Sequence, residues 1–201
     1  MVDLKHRFDD RVFLEATFTR VKHRGLFNMK ELYTMIHEWL IQEEYATRTD
    51  SDFPEIYYLH RETQTSGDEA WIWWRLEKVP TNSTYYRYVL DIDFHLILMR
   101  EAEVIHQGKK FKTNWGEVEI KIWGKLEGDY QHKWRKHPIL KHFEELFRKR
   151  IFKSSFEMHK NEFYREIYRL QNAIKEYLKL RTYLPEPEET FFPPLGLGNV
   201  R

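Results

Sequence analysis

The sequence predicts an α+β fold in which a curved antiparallel sheet is packed by one helix and by a second, long C-terminal helix. Four consecutive segments are rich in alternating apolar residues and are separated by turn residues. Two other segments carry apolar residues at helical spacing, one after the first strand and one near the C-terminus. A chain of 201 residues, 41% of them hydrophobic, can bury the core of one domain. We assign that domain to residues 1–182 and a proline-rich extended tail to residues 183–201.

The N-terminal part predicts a strand followed by a helix. Positions 12–21 are rich in β-branched and aromatic residues, and Gly25 is expected to end this strand. Asn28 stands three residues before Glu31, which is the spacing of a capping box. Apolar positions then recur at helical spacing to about Tyr45, so one face of this helix is expected in the core.

A four-strand meander is predicted next. Its strands are expected at about residues 56–61, 70–79, 85–105 and 110–126. In the last two strands, even-numbered residues are mostly apolar and odd-numbered residues are mostly charged, so one face of the sheet is apolar. A two-residue turn at Gln107 and Gly108 would pair even with odd residues. A three-residue loop or a β-bulge is therefore needed, and Gly108 suits its left-handed position.

Two helices are predicted in the C-terminal part. Pro138 can begin a helix that ends near Lys153, and Ser154 with Glu157 forms a second capping box for a helix that ends near Leu180. The apolar residues of this long helix step by four and three positions, at Phe163, Ile167, Leu170, Ile174 and Tyr177. The order of elements resembles the helix-grip architecture of START-like lipid and hormone binders, in which a curved sheet grips a long C-terminal helix.

Composition excludes several classes of protein. The chain has no cysteine, so disulfide scaffolds, thiolate metal sites and cysteine nucleophiles are ruled out. Charged residues near the N-terminus, and the lack of 18 consecutive uncharged apolar residues, predict a cytoplasmic protein without a transmembrane helix. Phosphate-binding loops, dinucleotide fingerprints and nucleophile elbows are missing. We therefore expect no cofactor, and the sequence favours a non-enzymatic role.

The strongest charge anomaly is the segment 132–153, which carries eight Lys and Arg residues against two Glu. Its candidate binding residues are Lys133, Trp134, Arg135, Lys136, Arg148, Lys149 and Arg150. Cations interleaved with an aromatic ring can neutralise phosphates and stack on a base, so the segment predicts binding to RNA, the ribosome or another anionic polymer. The alternative is a basic helix that faces water or packs against the acidic remainder of the chain.

A second candidate site is the set Asp91, Asp93 and His95 on one face of a strand. Carboxylates and an imidazole at period two can bind a divalent metal or perform acid–base chemistry. This gives a third hypothesis, a metal-assisted enzyme. Arg87, Lys121 and Lys125 share the same face, so the alternative is a salt-bridged surface without a metal.

Aromatic residues and the tail complete the candidates. Trp71 and Trp73 flank Ile72, and these indoles are predicted either in the core or on an exposed platform for a partner. The leading hypothesis is a non-enzymatic binding or adaptor domain for a protein or an apolar small molecule, with an apolar pocket beneath the long helix. The tail contains the apolar residues Phe191, Phe192, Leu195 and Leu197. Three alternatives are open for them: docking on the domain, docking on a partner protein, or disorder.

Overall fold

The computed structural model describes residues 12–49, 52–63, 67–106, 109–140 and 153–179. The strands are β1 (Val12–Phe27), β2 (Glu55–Arg61), β3 (Asp68–Lys78), β4 (Tyr86–His106) and β5 (Lys109–Gly128). The helices are α1 (Met29–Gln42), a short α2 (Lys133–Lys136) and the long α3 (Lys153–Tyr177). The strands form one antiparallel sheet in the order β1-β5-β4-β3-β2. The predicted fold class is therefore confirmed.

One face of the sheet is covered by α1 and α3 and holds the core. The strand residues predicted for this face are at most 3% exposed: Leu90, Ile92, Phe94, Leu96, Ile120 and Ile122. The α3 residues predicted to meet them are at most 2% exposed: Phe163, Ile167, Leu170 and Ile174. All ten belong to one apolar cluster, which confirms the face assignment. We call this side the covered face, and the side that carries the odd-numbered residues of β3, β4 and β5 the open face.

Strand pairing on β4 and β5 follows the predicted parity, but the bulge lies elsewhere. Even residues pair with even residues near the centre, as Ile92 does with Ile122. The register shifts between Ile97 and Arg100, and the ladder then continues to the last pair of the hairpin. Leu98 has the positive φ of 58° that such a bulge uses. The prediction of the bulge near Gly108 was therefore wrong in position.

The predicted end of the first strand at Gly25 was also wrong. β1 continues through Gly25 to Phe27, and Gly25 pairs with Gly116 of β5. Its φ of 154° is rarely adopted by residues with a side chain, so glycine allows the strand to pass through this point. Asn28 then caps α1 as predicted, because its side chain accepts a hydrogen bond from the Glu31 amide at 3.3 Å.

The C-terminal part differs from the prediction at its start. The short α2 precedes Pro138, where the sequence predicted a helix to begin. Residues 141–152 of that predicted helix lie outside the described residues, as does the tail from residue 180 onward. The long helix begins at Lys153 and ends at Tyr177, close to its predicted bounds. The division between domain and tail at residue 182 stays a prediction.

Candidate functional site

An open cavity of about 500 Å³ lies on the covered face, between the N-terminal half of α1 and the β2–β3–β4 part of the sheet. Its apolar lining comes from Met29, Tyr33, Ala70, Ile72, Leu96 and Met99. Ala70, Ile72 and Leu96 are at most 6% exposed, so they form the floor. Tyr58 and the polar side chains of Lys30, His60, Asp68, Glu69, Arg100, Glu101 and Asn114 complete the lining. The arrangement of an apolar floor with some polar groups is typical of sites for small molecules.

The bulge in β4 builds one wall of this cavity. A Cβ on Gly116 of β5 would lie 2.7 Å from the Met99 sulfur, and a Cβ on Gly67 would lie 2.9 Å from the Leu98 carbonyl carbon. Both distances are shorter than normal van der Waals contacts, so the two glycines allow the bulged backbone to approach closely. The bulge in this way places Met99 among the lining residues.

Hydrogen bonds fix α1 above the cavity. The Met29 amide donates to Asn114 Oδ1 of β5 at 3.3 Å. On the β2 side, the Tyr33 hydroxyl and the Trp74 indole N–H both donate to Glu55 Oε2 at 2.9 Å. Burial is the main cause of a raised pKa of Tyr33, and the hydrogen bond to the Glu55 carboxylate raises it further. The Tyr33 hydroxyl therefore stays a neutral donor. These bonds hold both ends of the cavity before any ligand arrives.

The long helix packs closely on the sheet away from this cavity. Gly124 of β5 faces α3, and a Cβ there would collide with Ile167 and Phe163. The sequence predicted a pocket beneath the long helix α3. The cavity of about 500 Å³ instead lies beneath α1, which contributes residues to its lining. Glycine at position 124 of β5 lets α3 approach the strands closely, whereas the bulged part of β4 contributes Met99 to the cavity lining.

A buried polar cluster lies at the other end of the covered face, and the sequence did not predict it. Glu166 of α3 is 5% exposed and accepts hydrogen bonds from the Tyr45 hydroxyl at 2.6 Å and from Lys78 Nζ at 2.7 Å. His159, which is 1% exposed, lies with its Nδ1 3.0 Å from the Tyr88 hydroxyl. Both residues are spaced by three or four positions from Phe163, so the helical period itself was a signal for their burial.

Burial sets the charges in this cluster. It lowers the pKa of His159, against a smaller opposing effect of Glu162, so the imidazole is neutral at pH 7. It also raises the pKa of Tyr45, and the Glu166 carboxylate raises it further. The Glu166 carboxylate thus links α3 to Lys78 of β3 and to Tyr45, which follows the end of α1.

On the open face, the candidate residues Asp91, Asp93 and His95 lie together on β4, as predicted. Asp91 accepts a hydrogen bond from Lys125 Nζ at 2.7 Å, and Asp93 accepts one from Arg75 Nη1 at 2.6 Å. The sequence identified Lys125 as a cation partner but missed Arg75, because β3 was considered only for its indoles. Burial raises the pKa of Asp93, although the Arg75 hydrogen bond opposes this effect.

The described residues of this region do not form a set of metal ligands. Within the described ranges, no three His, Asp or Glu side chains are placed to hold a metal ion. His95 stacks on the Trp71 indole with ring centroids 5.1 Å apart. The side chains that the sequence offered as ligands thus contact neighbouring cations and a ring.

Trp71 and Trp73 lie on the open face and are partly exposed. Trp73 stacks on Tyr57 of the edge strand β2, with ring centroids 4.3 Å apart. The helices cover the opposite face, where Trp74 is completely buried. Both indoles therefore lie outside the core, and their role as a platform for a partner stays a prediction.

Only part of the basic segment is described. Lys133 and Lys136 of α2 are exposed, whereas Trp134 is partly buried. The Trp134 ring packs edge-on against the Tyr85 ring, with the two ring centroids 6.0 Å apart. The backbone amides of Trp134 and Arg135 donate to the Asp129 carboxylate at 3.1 Å. Arg148, Lys149 and Arg150 lie outside the described residues.

The comparisons with known proteins identify no family. No protein-family model matches the chain, and no curated protein matches it. A similar solved structure is that of an uncharacterized protein from Rhizobium leguminosarum, which is 6% identical over 84% of this chain and 97% of that chain. The TM-score of 0.20 is too low for this likeness to carry any argument about fold or function. Among the described helices, none is long and apolar enough to cross a membrane, and the cytoplasmic location stays a prediction.

Proposed function

We propose that this chain is a non-enzymatic binding domain for a compact, mainly apolar small molecule, and that the ligand occupies the cavity beneath α1. The observation that carries the proposal is the cavity itself. Its volume of about 500 Å³ falls in the usual range of roughly 300 to 1,000 Å³ for ligand sites. Its floor is apolar and its polar side chains can orient a ligand.

The architecture around the cavity supports this proposal. Tyr33, Glu55 and Trp74 share hydrogen bonds on one side, and Asn114 holds the start of α1 on the other. A site that is held open in advance loses less conformational entropy on binding. The two methionines of the wall, Met29 and Met99, adapt readily to ligands of different shape.

Binding of the neutral fluorescent probe Nile red tests this proposal. Ala70 lies in the floor and is 6% exposed, so Ala70→Phe fills the cavity and should weaken probe binding at least tenfold. Ala16→Phe is the matched control, because Ala16 is an exposed strand alanine of β1 away from the cavity. Its probe binding should equal that of the original protein.

The stability of each variant must be measured in parallel, by urea unfolding. Ala70→Leu serves as a second, smaller filling if the phenylalanine disturbs the fold. Equal probe binding by a folded Ala70→Phe protein and the original would contradict the proposal. So would weak, nonsaturable binding of Nile red to all of these proteins.

A second candidate function is the binding of RNA through the basic segment. It is supported by the exposure of Lys133 and Lys136 on a turn whose backbone is fixed by Asp129. Substituting both lysines by glutamine should reduce the salt dependence of RNA affinity by about 0.7 per lost phosphate contact in a single strand. Lys175→Gln on α3 is the control, and an unchanged slope in the double variant would contradict this candidate.

A further inference from the structure

The described part of the chain ends close to the cavity, at the start of α1. Tyr177, in the last turn of α3, donates a hydrogen bond from its hydroxyl to the Asn28 carbonyl at 3.0 Å. Asn28 is the cap of α1, and the next two residues, Met29 and Lys30, line the cavity. Leu178 is 5% exposed, so the chain is held at the start of α1 up to this point. Residues 180–201 therefore continue from a position close to the cavity.

The remaining sequence is long enough to reach the cavity. From Lys179 to Phe191 there are twelve residues, which can span up to about 40 Å when extended. For comparison, a helix with its side chains is only about 10 Å across. Reach therefore does not limit contact between the distal tail and the cavity.

The chemistry of the tail matches that of the cavity. The tail residues 191–197 are Phe, Phe, Pro, Pro, Leu, Gly and Leu, which is a mainly apolar segment. Prolines lack an amide N–H, so this segment is poorly suited to extend the sheet at the edge strand β2. It is suited to insert side chains into an apolar site, because its restricted backbone has less entropy to lose.

Charges of both signs line the cavity, and its acidic residues Asp68, Glu69 and Glu101 lie on β3 and β4. Three acidic residues, Glu186, Glu188 and Glu189, come directly before the apolar segment. Lys30 is an exposed cation in the lining of the cavity, at its α1 edge. The Lys30 ammonium can therefore pair with one of these tail carboxylates on the α1 side of the cavity.

We propose that residues 191–197 of the same chain occupy the cavity beneath α1 and compete there with the small-molecule ligand. The competition rests on the proposed function, whereas the occupancy of the cavity by the tail does not. The tail then acts as an internal occupant, and a ligand must displace it. The apparent affinity of the full chain for a ligand is lower than that of a chain whose tail cannot enter.

Methyl NMR of the full chain, labelled at methionine, tests occupancy without any ligand. Met29 and Met99 line the cavity, whereas Met35 and Met158 do not and serve as internal references. Replacing Phe191, Phe192 and Leu195 together by serine removes two aromatic rings from the tail. We expect the methyl signals of Met29 and Met99 to shift and those of Met35 and Met158 to stay.

Val200→Ser is the matched control, because it removes an apolar tail residue outside the proposed segment. It should leave all four methyl signals unchanged. Unshifted Met29 and Met99 signals in the triple variant would overturn the proposal, whatever the behaviour of Nile red. A difference seen only at high protein concentration would place the tail of a second copy in the cavity and would overturn the intrachain version.

Nile red binding separates this inference from the proposed function. The triple variant should bind the probe about tenfold more tightly than the original chain, and Ala70→Phe should abolish that gain. Shifted methyl signals without probe binding in any variant would support the tail and contradict the ligand site. Probe binding that depends on Ala70 but is equal in the triple variant would support the ligand site and overturn the competition.

Discussion

The covered and open faces of the sheet are built from alternate residues of the same strands, yet they are stabilised in different ways. On β4, Phe94 and Ile92 are completely buried under the helices, while Asp91 and Asp93 point the other way and bind Lys125 and Arg75. The covered face consists mainly of apolar contacts, with a polar cluster at one end. The open face consists of cross-strand ion pairs and stacked rings.

This difference shows where the free energy of folding resides. Burial of apolar surface contributes about 25 cal/mol per Å², and it is concentrated on the covered face. Ion pairs on a partly exposed face contribute little net free energy, because their charges are also solvated in the unfolded chain. The exposed side chains of the open face can therefore change at low cost, while the covered face holds both the core and the candidate site.

The largest effect is expected from a cavity in the covered face. Phe94→Ala removes a completely buried ring and should lower the free energy of unfolding by about 3 to 5 kcal/mol. Urea unfolding followed by tryptophan fluorescence measures the loss. Tyr57→Ala removes a partly exposed ring on the open face and serves as the comparison. An equal loss in both variants would break the distinction between the faces.

The division into two faces is also the part of the fold that the sequence predicted best. Alternation along β4 and β5 leaves few arrangements, so the even-numbered apolar residues of the core follow from their numbers. Val89, Asp91 and Glu127 are odd-numbered and also buried, which alternation did not predict. The bulge at Leu98 did not follow, because leucine at a positive φ has no sequence signal. Since that bulge forms a wall of the cavity, the position of the candidate site could not be predicted either.

The next effect concerns a buried acid of the open face. Asp91→Asn keeps the shape of the side chain but removes the charge that Lys125 contacts at 2.7 Å. We expect a loss of about 1 to 2 kcal/mol, because Lys125 is 28% exposed and can turn to water. Asp93→Asn should cost less, since burial raises the pKa of Asp93 and its surroundings already disfavour the charge. A loss above that of Phe94→Ala would contradict the comparison.

A pH effect is expected from the polar end of the covered face. The folded state lowers the pKa of His159 below its usual 6.5, chiefly through burial, while Glu162 at 3.9 Å opposes the shift. This group therefore contributes stability above pH 6.5, and the contribution is lost as the pH falls through the folded pKa. One such group changes the free energy of unfolding by at most about 1.4 kcal/mol per pH unit.

The comparison for this effect is His159→Gln, which cannot titrate. Glutamine keeps a polar group beside the Tyr88 hydroxyl, and the difference in unfolding free energy between the two proteins should shrink from pH 7.5 to pH 5. Urea unfolding at several pH values gives this difference directly. A difference that is constant with pH would show that His159 titrates alike in the folded and unfolded chains.

The smallest effect is expected from an exposed ion pair at the edge of the open face. Lys22 Nζ lies 2.6 Å from Glu117 Oε1, but the Lys22 side chain is 55% exposed. The Lys22 ammonium lowers the pKa of Glu117, yet both charges remain accessible to water and to salt. A double-mutant cycle with Lys22→Gln and Glu117→Gln should give a coupling smaller than the effect of Asp91→Asn, and 1 M salt should reduce it. A coupling as large as the effect of Asp91→Asn that resists salt would mean that this edge is buried in solution, and the open face would then require a partner that shields it from water.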